Sequence, residues 1–176
     1  SGIADFDPSP SETAALTSSS NSGSYTWDIF FAKYNSNGDY VWAKNMGGMD
    51  YDIGHGISID ASENVYITGQ FSGMADFDPS PSETASLTSE SWSYDIFISK
   101  YDSNGEYIWA KKMGGVGTEQ GSSIALDGSG NVYITGQGVI DITADFDPGS
   151  GNATLFPYGM DDIIIAILNS SGEFQS

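Results

Sequence analysis

The 176-residue sequence contains no cysteine and no arginine, and its positively charged side chains are five lysines. The absence of cysteine excludes a disulfide framework, thiolate metal sites and a cysteine nucleophile. The 24 acidic residues give a formal net charge of -19. Binding to a nucleic acid is excluded, because the chain has too few cations to neutralise a run of phosphates. Binding to an anionic membrane surface is disfavoured for the same reason.

Long apolar runs are also missing. The longest is the six-residue stretch 163–168, whereas a helix that crosses a bilayer needs about 20 apolar residues. We therefore predict no membrane insertion. Hydrophobic residues make up 39% of the chain and aromatic residues 13%, which is enough to build a core and is not typical of a disordered acidic tail.

What the sequence does contain is an internal repeat with a period of 67 residues. The segment 28–48 returns as 95–115 with 15 of 21 residues identical, and a truncated third copy begins at Asp162. Residues 64–70 return unchanged as 131–137. Repeats of this kind are typical of arrays in which each unit buries its apolar faces against its neighbours.

Each period is predicted to contain four short strands, A to D. Alternating β-branched and aromatic residues place strands A and B at 57–60 and 65–68, and strands C and D at 96–101 and 107–111. The Asn-Gly pair between strands C and D is a strong hairpin signal. No segment keeps a helical period with caps. The sequence therefore predicts an all-β fold of four-stranded antiparallel blades of the β-propeller type.

The period divides the chain into about 2.6 repeats that are incomplete at both ends. We predict a partial blade with strands C and D at 1–48, a complete blade at 49–115, and a partial blade with strands A, B and C at 116–176. Blades bury their faces only against neighbours, so this arrangement leaves an apolar face open at each end. We therefore expect the chain to associate with itself into a filament or a ring.

Three linked motifs cover nearly the whole chain in a fixed order. They are Asp-x-x-x-Asn-Val-Tyr-Ile-Thr-Gly at 60–69 and 127–136, Gly-x-Ala-Asp-Phe-Asp-Pro at 73–79, and Asp-Ile-Phe-x-x-Lys-Tyr-x-x-x-Gly-x-Tyr-x-Trp-Ala-Lys at 28–44 and 95–111. In these motifs the sequence resembles the SBBP-type β-propeller repeat family of large secreted bacterial proteins, frequent in Bacteroidota. The resemblance implies a propeller-like fold, an extracellular or cell-surface location, and a scaffold or adhesive role. It implies no catalytic residue.

The Asp-Phe-Asp-Pro motif occurs three times and places two carboxylates at positions i and i+2. The six residues are Asp5, Asp7, Asp76, Asp78, Asp145 and Asp147. Oxygen ligands without histidine or cysteine nearby are those that Ca²⁺ prefers, so these turns are candidate calcium sites. The alternative is a turn in which the carboxylates accept backbone N–H groups and the phenylalanine anchors the loop. Two carboxylates are few for an ion with about 6–8 oxygen ligands, and the sequence leaves both interpretations open.

Four further residues are candidates for surface interactions. Trp27 and Trp92 lie in the loops just before strand C and are candidates for contact with a glycan or another surface ligand. Asn152 and Asn169 match the Asn-x-Ser/Thr acceptor pattern for N-glycosylation.

No catalytic constellation is apparent. His55, the single histidine, has no paired acid and serine, and the acidic pair Asp50 and Asp52 is replaced by Gly117 and Glu119 one period later. A solvated loop is therefore predicted at Asp50 and Asp52. We expect a non-enzymatic extracellular structural or adhesive repeat protein that associates with itself. The alternative is a Ca²⁺-dependent module of a larger propeller that binds a glycan or another surface ligand.

Overall fold

The computed structural model describes residues 2–19, 26–139, 144–155 and 162–176. Within these ranges every paired strand is antiparallel and no α-helix is present, which confirms the all-β prediction. The strands are β1 (Ile3–Asp5), β2 (Ala15–Thr17), β3 (Ile29–Tyr34), β4 (Tyr40–Gly48), β5 (Asp52–Ile59), β6 (Val65–Ser72), β7 (Met74–Asp76), β8 (Ser86–Thr88), β9 (Tyr94–Tyr101), β10 (Tyr107–Met113), β11 (Thr118–Leu126), β12 (Val132–Val139) and β13 (Asp162–Leu168), with a 3-10 turn at Glu90–Trp92.

Strands β5, β6, β9 and β10 form one four-stranded sheet in the order of a simple meander, which we call the complete blade. They correspond to the predicted strands A to D. Strand β5 begins at Asp52, five residues before the predicted start of strand A. A shift of register between Gly54 and Gly56 lets β5 stay paired with β6 over this longer length. The bulge also interrupts the alternating pattern, which explains why the sequence prediction missed residues 52–56.

The predicted hairpin turns between strands C and D are confirmed. In the complete blade the Asp102 N–H donates to the Glu106 carbonyl at 2.9 Å, and Gly105 adopts a φ of 76°. Gly38 occupies the equivalent position in the preceding sheet with a φ of 85°. Glycine is favoured at both positions because other residues rarely adopt such a left-handed conformation.

The complete blade lies between two other sheets. Strands β11, β12 and β13 form the three-stranded C-terminal sheet. On the other side, the first sheet has the order β3-β4-β7-β8. Its last two strands, β7 and β8, follow β6 in the chain, so this hairpin crosses back to the outer strand β4 through the pairs Gly47↔Asp76 and Gly48↔Ala75. The predicted unit boundaries after residues 48 and 115 stay a prediction.

Two clusters of buried side chains form the core. The first interface joins the first sheet to the complete blade, and the second interface joins the complete blade to the C-terminal sheet. Because side chains alternate along a strand, Phe97 faces the first interface while Ile96 and Ile98 face the second. The first interface contains Ile29, Phe31, Met46, Val65, Ile67, Phe71, Ala75, Phe77, Phe97 and Tyr101. The second contains Tyr66, Ile96, Ile98, Met113, Ile124, Val132, Ile134, Ala144, Phe146, Ile164, Ala166 and Leu168.

Two tryptophans of the repeat pack against these clusters. The Trp42 ring lies edge-on to Phe31 with centroids 5.4 Å apart, and Trp109 lies edge-on to Tyr66 at 6.1 Å.

Among the described residues, no helix has the length and apolar character needed to cross a membrane.

Candidate binding surfaces

The C-terminal sheet exposes an apolar face. On β13, Ile163 is 82% exposed and Ile165 is 65% exposed. Their counterparts one period earlier, Ile96 and Ile98, are both completely buried in the second interface. The same strand of the repeat is therefore covered in the complete blade and uncovered in the C-terminal sheet.

A second apolar face lies at the opposite end of the array. Phe30 on β3 is 60% exposed, whereas its counterpart Phe97 is fully buried. Ile57 and Ile59 on β5 of the complete blade are also exposed, but they pair with Ile67 and Val65 and lie on the side of that blade that faces the first sheet. A groove along β3 is lined by Phe30 and Ile57, and within the described residues β4 is the only strand that pairs with β3. We call the exposed surface of Phe30 on β3 the N-terminal face, and that of Ile163 and Ile165 the C-terminal face.

The Asp-Phe-Asp-Pro motifs form turns that their own carboxylates cap. Asp76 Oδ1 accepts the N–H groups of Asp78 at 3.0 Å and of Ala85 at 2.8 Å. Asp78 Oδ1 accepts the N–H of Ser80 at 2.8 Å. Asp5, Asp7, Asp145 and Asp147 make the corresponding hydrogen bonds in the other two copies. The central Phe77 is fully buried and anchors its turn.

This geometry uses one oxygen of each carboxylate in the turn itself. Among the described ranges, no group of three or more Asp, Glu, His or Cys side chains is placed to hold a metal ion. An ion at one of these turns would therefore need most of its oxygen ligands from the backbone or from water. The observed hydrogen bonds from backbone N–H groups to the Asp side chains are those expected of the alternative interpretation, the capped turn. Calcium binding at these turns stays a prediction.

Both candidate tryptophans lie on the surface. Trp27 is 62% exposed and contacts the Tyr51 ring edge-on at 5.8 Å, beside an open groove of about 400 Å³ that Phe6 and Phe30 also line. Trp92 is 78% exposed and ends the 3-10 turn. Its carbonyl accepts the Ser72 hydroxyl at 3.2 Å, which holds the loop against β6.

The two predicted glycosylation acceptors lie in exposed turns. Asn152 Oδ1 accepts the Thr154 N–H at 3.2 Å. Asn169 organises the turn after β13, since its Oδ1 accepts the N–H of Glu173 at 3.0 Å and its Nδ2 donates to Glu173 Oε2 at 2.6 Å. A glycan on Nδ2 of Asn169 would therefore have to disturb this turn. Glycosylation stays a prediction at both positions.

Buried carboxylates in the interfaces were missed by the sequence prediction. The solvated loop predicted at Asp50 and Asp52 is wrong for Asp52, which begins β5 and is 1% exposed. Its counterpart Glu119 is fully buried at the second interface. Asp95 is also fully buried and pairs with Lys112, whose Nζ lies 3.0 Å from Asp95 Oδ2. The signal in the sequence was the persistence of an acid at both positions across the repeat, despite the change from Asp to Glu.

Burial perturbs the protonation of these groups. Burial, together with the neighbouring Asp28 carboxylate, raises the pKa of Asp52 to about 7 against the opposing effect of the Gly48 N–H. Burial also raises the pKa of Asp28 and of Asp95, and Lys112 opposes the shift at Asp95. His55 lies outside this group and contacts Gln120, with His55 Nε2 3.0 Å from Gln120 Nε2.

The stacked antiparallel sheets, with equivalent residues in successive interfaces, define a repeat protein built from blades of the β-propeller type. Comparison with known proteins agrees, since residues 108–146 match the family model of the β-propeller repeat, SBBP. The chain is 30% identical over 112 residues to the uncharacterized WD repeat-containing protein L264 of Acanthamoeba polyphaga mimivirus. It is 26% identical over 126 residues to the regulatory protein FlaEY of Caulobacter vibrioides. These matches cover 63% and 70% of the chain but 8% and 13% of the two relatives.

Proposed function

We propose that the chain is a non-enzymatic, extracellular structural or adhesive repeat protein that associates with itself through its two open sheet faces. The observation that carries this proposal is the contrast on strand C of the repeat. Ile96 and Ile98 are completely buried, while Ile163 and Ile165 are 82% and 65% exposed at the equivalent positions. Burying a side chain of this size contributes about 1.5–3 kcal/mol, so covering the C-terminal face is favourable.

The second interface indicates what would cover that face. There, Ile124 and Ile164 of the C-terminal sheet lie in the same buried cluster as Ile96 and Ile98 of the complete blade. The counterpart of Ile164 two periods earlier is Phe30, which lies on the N-terminal face. The N-terminal face of a second copy therefore carries an apolar side chain at one of the positions that cover this strand inside the chain.

Such a contact is heterologous, because it joins two different surfaces. Heterologous contacts repeat from copy to copy, and they give a ring when the rotation closes and a filament when it does not. The net charge of -19 opposes the approach of two copies. Added salt screens this repulsion and strengthens apolar association, so assembly should increase with salt concentration.

Light scattering of the purified chain at micromolar concentration tests the proposal. We expect assemblies larger than a monomer in 0.5 M NaCl, and we expect the substitution Ile165→Lys to dissolve them. The matched control is Ile108→Lys, which places the same charge at an exposed isoleucine of the outer strand β10. A folded monomer at every salt concentration, or equal effects of the two substitutions, would reject self-association and leave a blade of a longer chain as the partner.

The absence of catalysis is supported by the repeat itself. The matched family is described as a β-propeller repeat and one relative as a WD repeat-containing protein, and neither description names a reaction. The acids Asp52, Asp95 and Glu119 are at most 1% exposed, which leaves them out of reach of a substrate. An extracellular location is supported by the resemblance to the secreted SBBP-type proteins.

The second candidate function is Ca²⁺-dependent binding of a glycan or another surface ligand, and the exposure of Trp27 and Trp92 favours it. Aromatic rings at such positions offer flat apolar surface to a sugar ring. A glycan array probed with the chain in CaCl2 and again in EDTA tests this function. Binding that is lost in EDTA and in Trp92→Ala would support it, and an array without signal in both conditions would reject it.

A further inference from the structure

Both interfaces contain the same arrangement of two acidic side chains around a glycine. A Cβ placed on Gly47 would lie 2.9 Å from Asp52 Oδ2 and 3.1 Å from the carboxyl carbon of Asp28. A Cβ placed on Gly114 would lie 2.6 Å from Glu119 Oε2 and 3.0 Å from the carboxyl carbon of Asp95. Both glycines have φ close to 150°. The repeat therefore brings two carboxyl groups together where strand D ends.

The arrangement at the second interface includes a lysine, and the arrangement at the first interface does not. At the second interface, Lys112 Nζ lies 3.0 Å from Asp95 Oδ2 and 3.3 Å from Glu90 Oε1. The residue at the equivalent position of the first interface is Asn45. It pairs with Phe30 as Lys112 pairs with Phe97, so the register is the same. The Asn45 side chain carries no charge and donates to the Thr17 carbonyl at 3.3 Å.

Among the described residues, no lysine pairs with Asp28 or Asp52, and each of these acids has a buried oxygen. Asp52 Oδ2 accepts the Gly48 N–H at 2.7 Å, and Asp28 Oδ2 accepts the Ser19 N–H at 2.6 Å. The Oδ1 atoms of both residues are buried and have no hydrogen-bond partner within the part of the chain that the structure describes. Asp52 itself is 1% exposed.

The charged groups around Asp52 add negative charge, and the compensation comes from the uncharged backbone N–H groups of Gly48 and Ser72. The charged groups that act on Asp52 are the carboxylates of Asp28 and Asp50. The phenols of Tyr94 and Tyr51 lie in the same cluster, since Asp50, Asp52 and Tyr51 all raise the pKa of Tyr94, in addition to its burial. Two ionised carboxylates in such a buried site repel each other and each lacks solvation, whereas one proton between them removes both costs.

We propose that Asp28 and Asp52 form a proton-binding site that supplies, at the first interface, the positive charge that Lys112 supplies at the second. The pair acts as one acid with one shared proton below neutral pH, and it loses this proton as the pH rises. The first interface is then a contact whose pH dependence no lysine opposes, whereas Lys112 opposes the shift of Asp95 at the second.

The direction in which pH changes the stability follows from the raised pKa of Asp52. The pKa of Asp52 is about 7 in the folded chain, against 3.8 for an ordinary Asp, and burial is the main cause. Between about pH 4 and pH 7, the folded chain therefore keeps this proton, whereas the unfolded chain has already lost it. The free energy of unfolding therefore falls as the pH rises through this window, and above it this group causes no further change. The pKa of Asp102 is lowered by the Glu106 N–H, so its contribution lies below the window.

Thermal unfolding of the full chain in EDTA, followed between pH 5 and pH 8, tests the proposal. One shared proton over this range corresponds to a fall in Tm of about 5–10 °C for a chain of this size. We expect Asp52→Asn to abolish most of this fall, because an amide mimics the protonated acid. We expect Asn45→Lys to raise Tm at pH 8 more than at pH 5, because its ammonium replaces the proton. His55 is retained in every variant.

The reciprocal substitution is Lys112→Asn, which should give the second interface the pH dependence of the first and increase the fall in Tm. Amide hydrogen exchange at Gly48 provides a local readout for any variant whose Tm is too low to follow. An unchanged pH dependence in Asp52→Asn, or Asn45→Lys without effect at pH 8, would overturn the proposal. Recovery of the full acid stability by CaCl2 at pH 8 would also overturn it, because a metal ion rather than a proton would then occupy the site.

Discussion

The complete blade and the C-terminal sheet each contain a strand C with isoleucine at the same two positions, yet these side chains have opposite environments. Ile96 and Ile98 are completely buried, and Ile163 and Ile165 lie on an open face. The difference comes from the neighbour and not from the strand, since the alternation of side chains is the same in both. In a repeat array the sequence therefore specifies which side chains are available for burial, and the adjacent sheet decides which of them contribute to stability.

The largest expected effect tests this contrast directly. Ile98→Ala should lower the free energy of unfolding by about 2–5 kcal/mol, because it leaves a cavity in the second interface. Ile165→Ala should lower it by less than about 0.5 kcal/mol in the monomer, because the side chain is 65% exposed. Urea unfolding of both variants at low protein concentration measures the difference. Similar losses in the two variants would show that the C-terminal face is covered even in the monomer.

A smaller effect is expected for a hydrogen bond that occurs in both copies. The buried Tyr101 hydroxyl donates to the Phe77 carbonyl at 2.9 Å, and the Tyr34 hydroxyl donates to the Phe6 carbonyl at 2.8 Å on the surface. Tyr101→Phe leaves a buried carbonyl without this donor and should cost about 1–3 kcal/mol. Tyr34→Phe should cost less than about 0.5 kcal/mol, because water replaces the donor. Equal losses in urea unfolding would contradict this assignment of burial.

The Asp-Phe-Asp-Pro turns provide a third comparison, between the capped turn and a calcium site. Asp76→Asn keeps an Oδ1 acceptor for the N–H groups of Asp78 and Ala85. A capped turn therefore predicts a loss of less than about 1 kcal/mol in Asp76→Asn, with the same Tm in CaCl2 and in EDTA. Asp76→Ala, which removes the acceptor, is the matched variant and should be less stable. A rise in Tm with CaCl2 that disappears in Asp76→Asn would instead establish the calcium site.

The alternation of apolar residues and the turn residues in the sequence predicted the strands and the Asn-Gly turns, because both depend on residues that are adjacent in sequence. These local patterns did not predict that β7 and β8 pair with β4, since the pair Gly47↔Asp76 joins two units of the repeat. They also placed Asp52 in a solvated loop, because a short acidic segment before a glycine-rich bulge looks like a surface turn. The burial of Asp52 depends on the first sheet, and local pattern contains no information about that contact.

The smallest expected effect concerns a surface ion pair that joins the first sheet to the complete blade. Lys44 Nζ lies 2.9 Å from Glu106 Oε1. Glu173, the counterpart of Glu106, accepts a hydrogen bond from Asn169 within its own turn instead. Glu106→Gln should therefore lower the free energy of unfolding by about 0.5 kcal/mol at low salt and by nothing measurable in 1 M NaCl, because salt screens exposed pairs. Glu173→Gln should show no such dependence on salt, since its interaction lies within one turn. If both variants respond to salt equally, the general acidity of the chain rather than this contact is responsible.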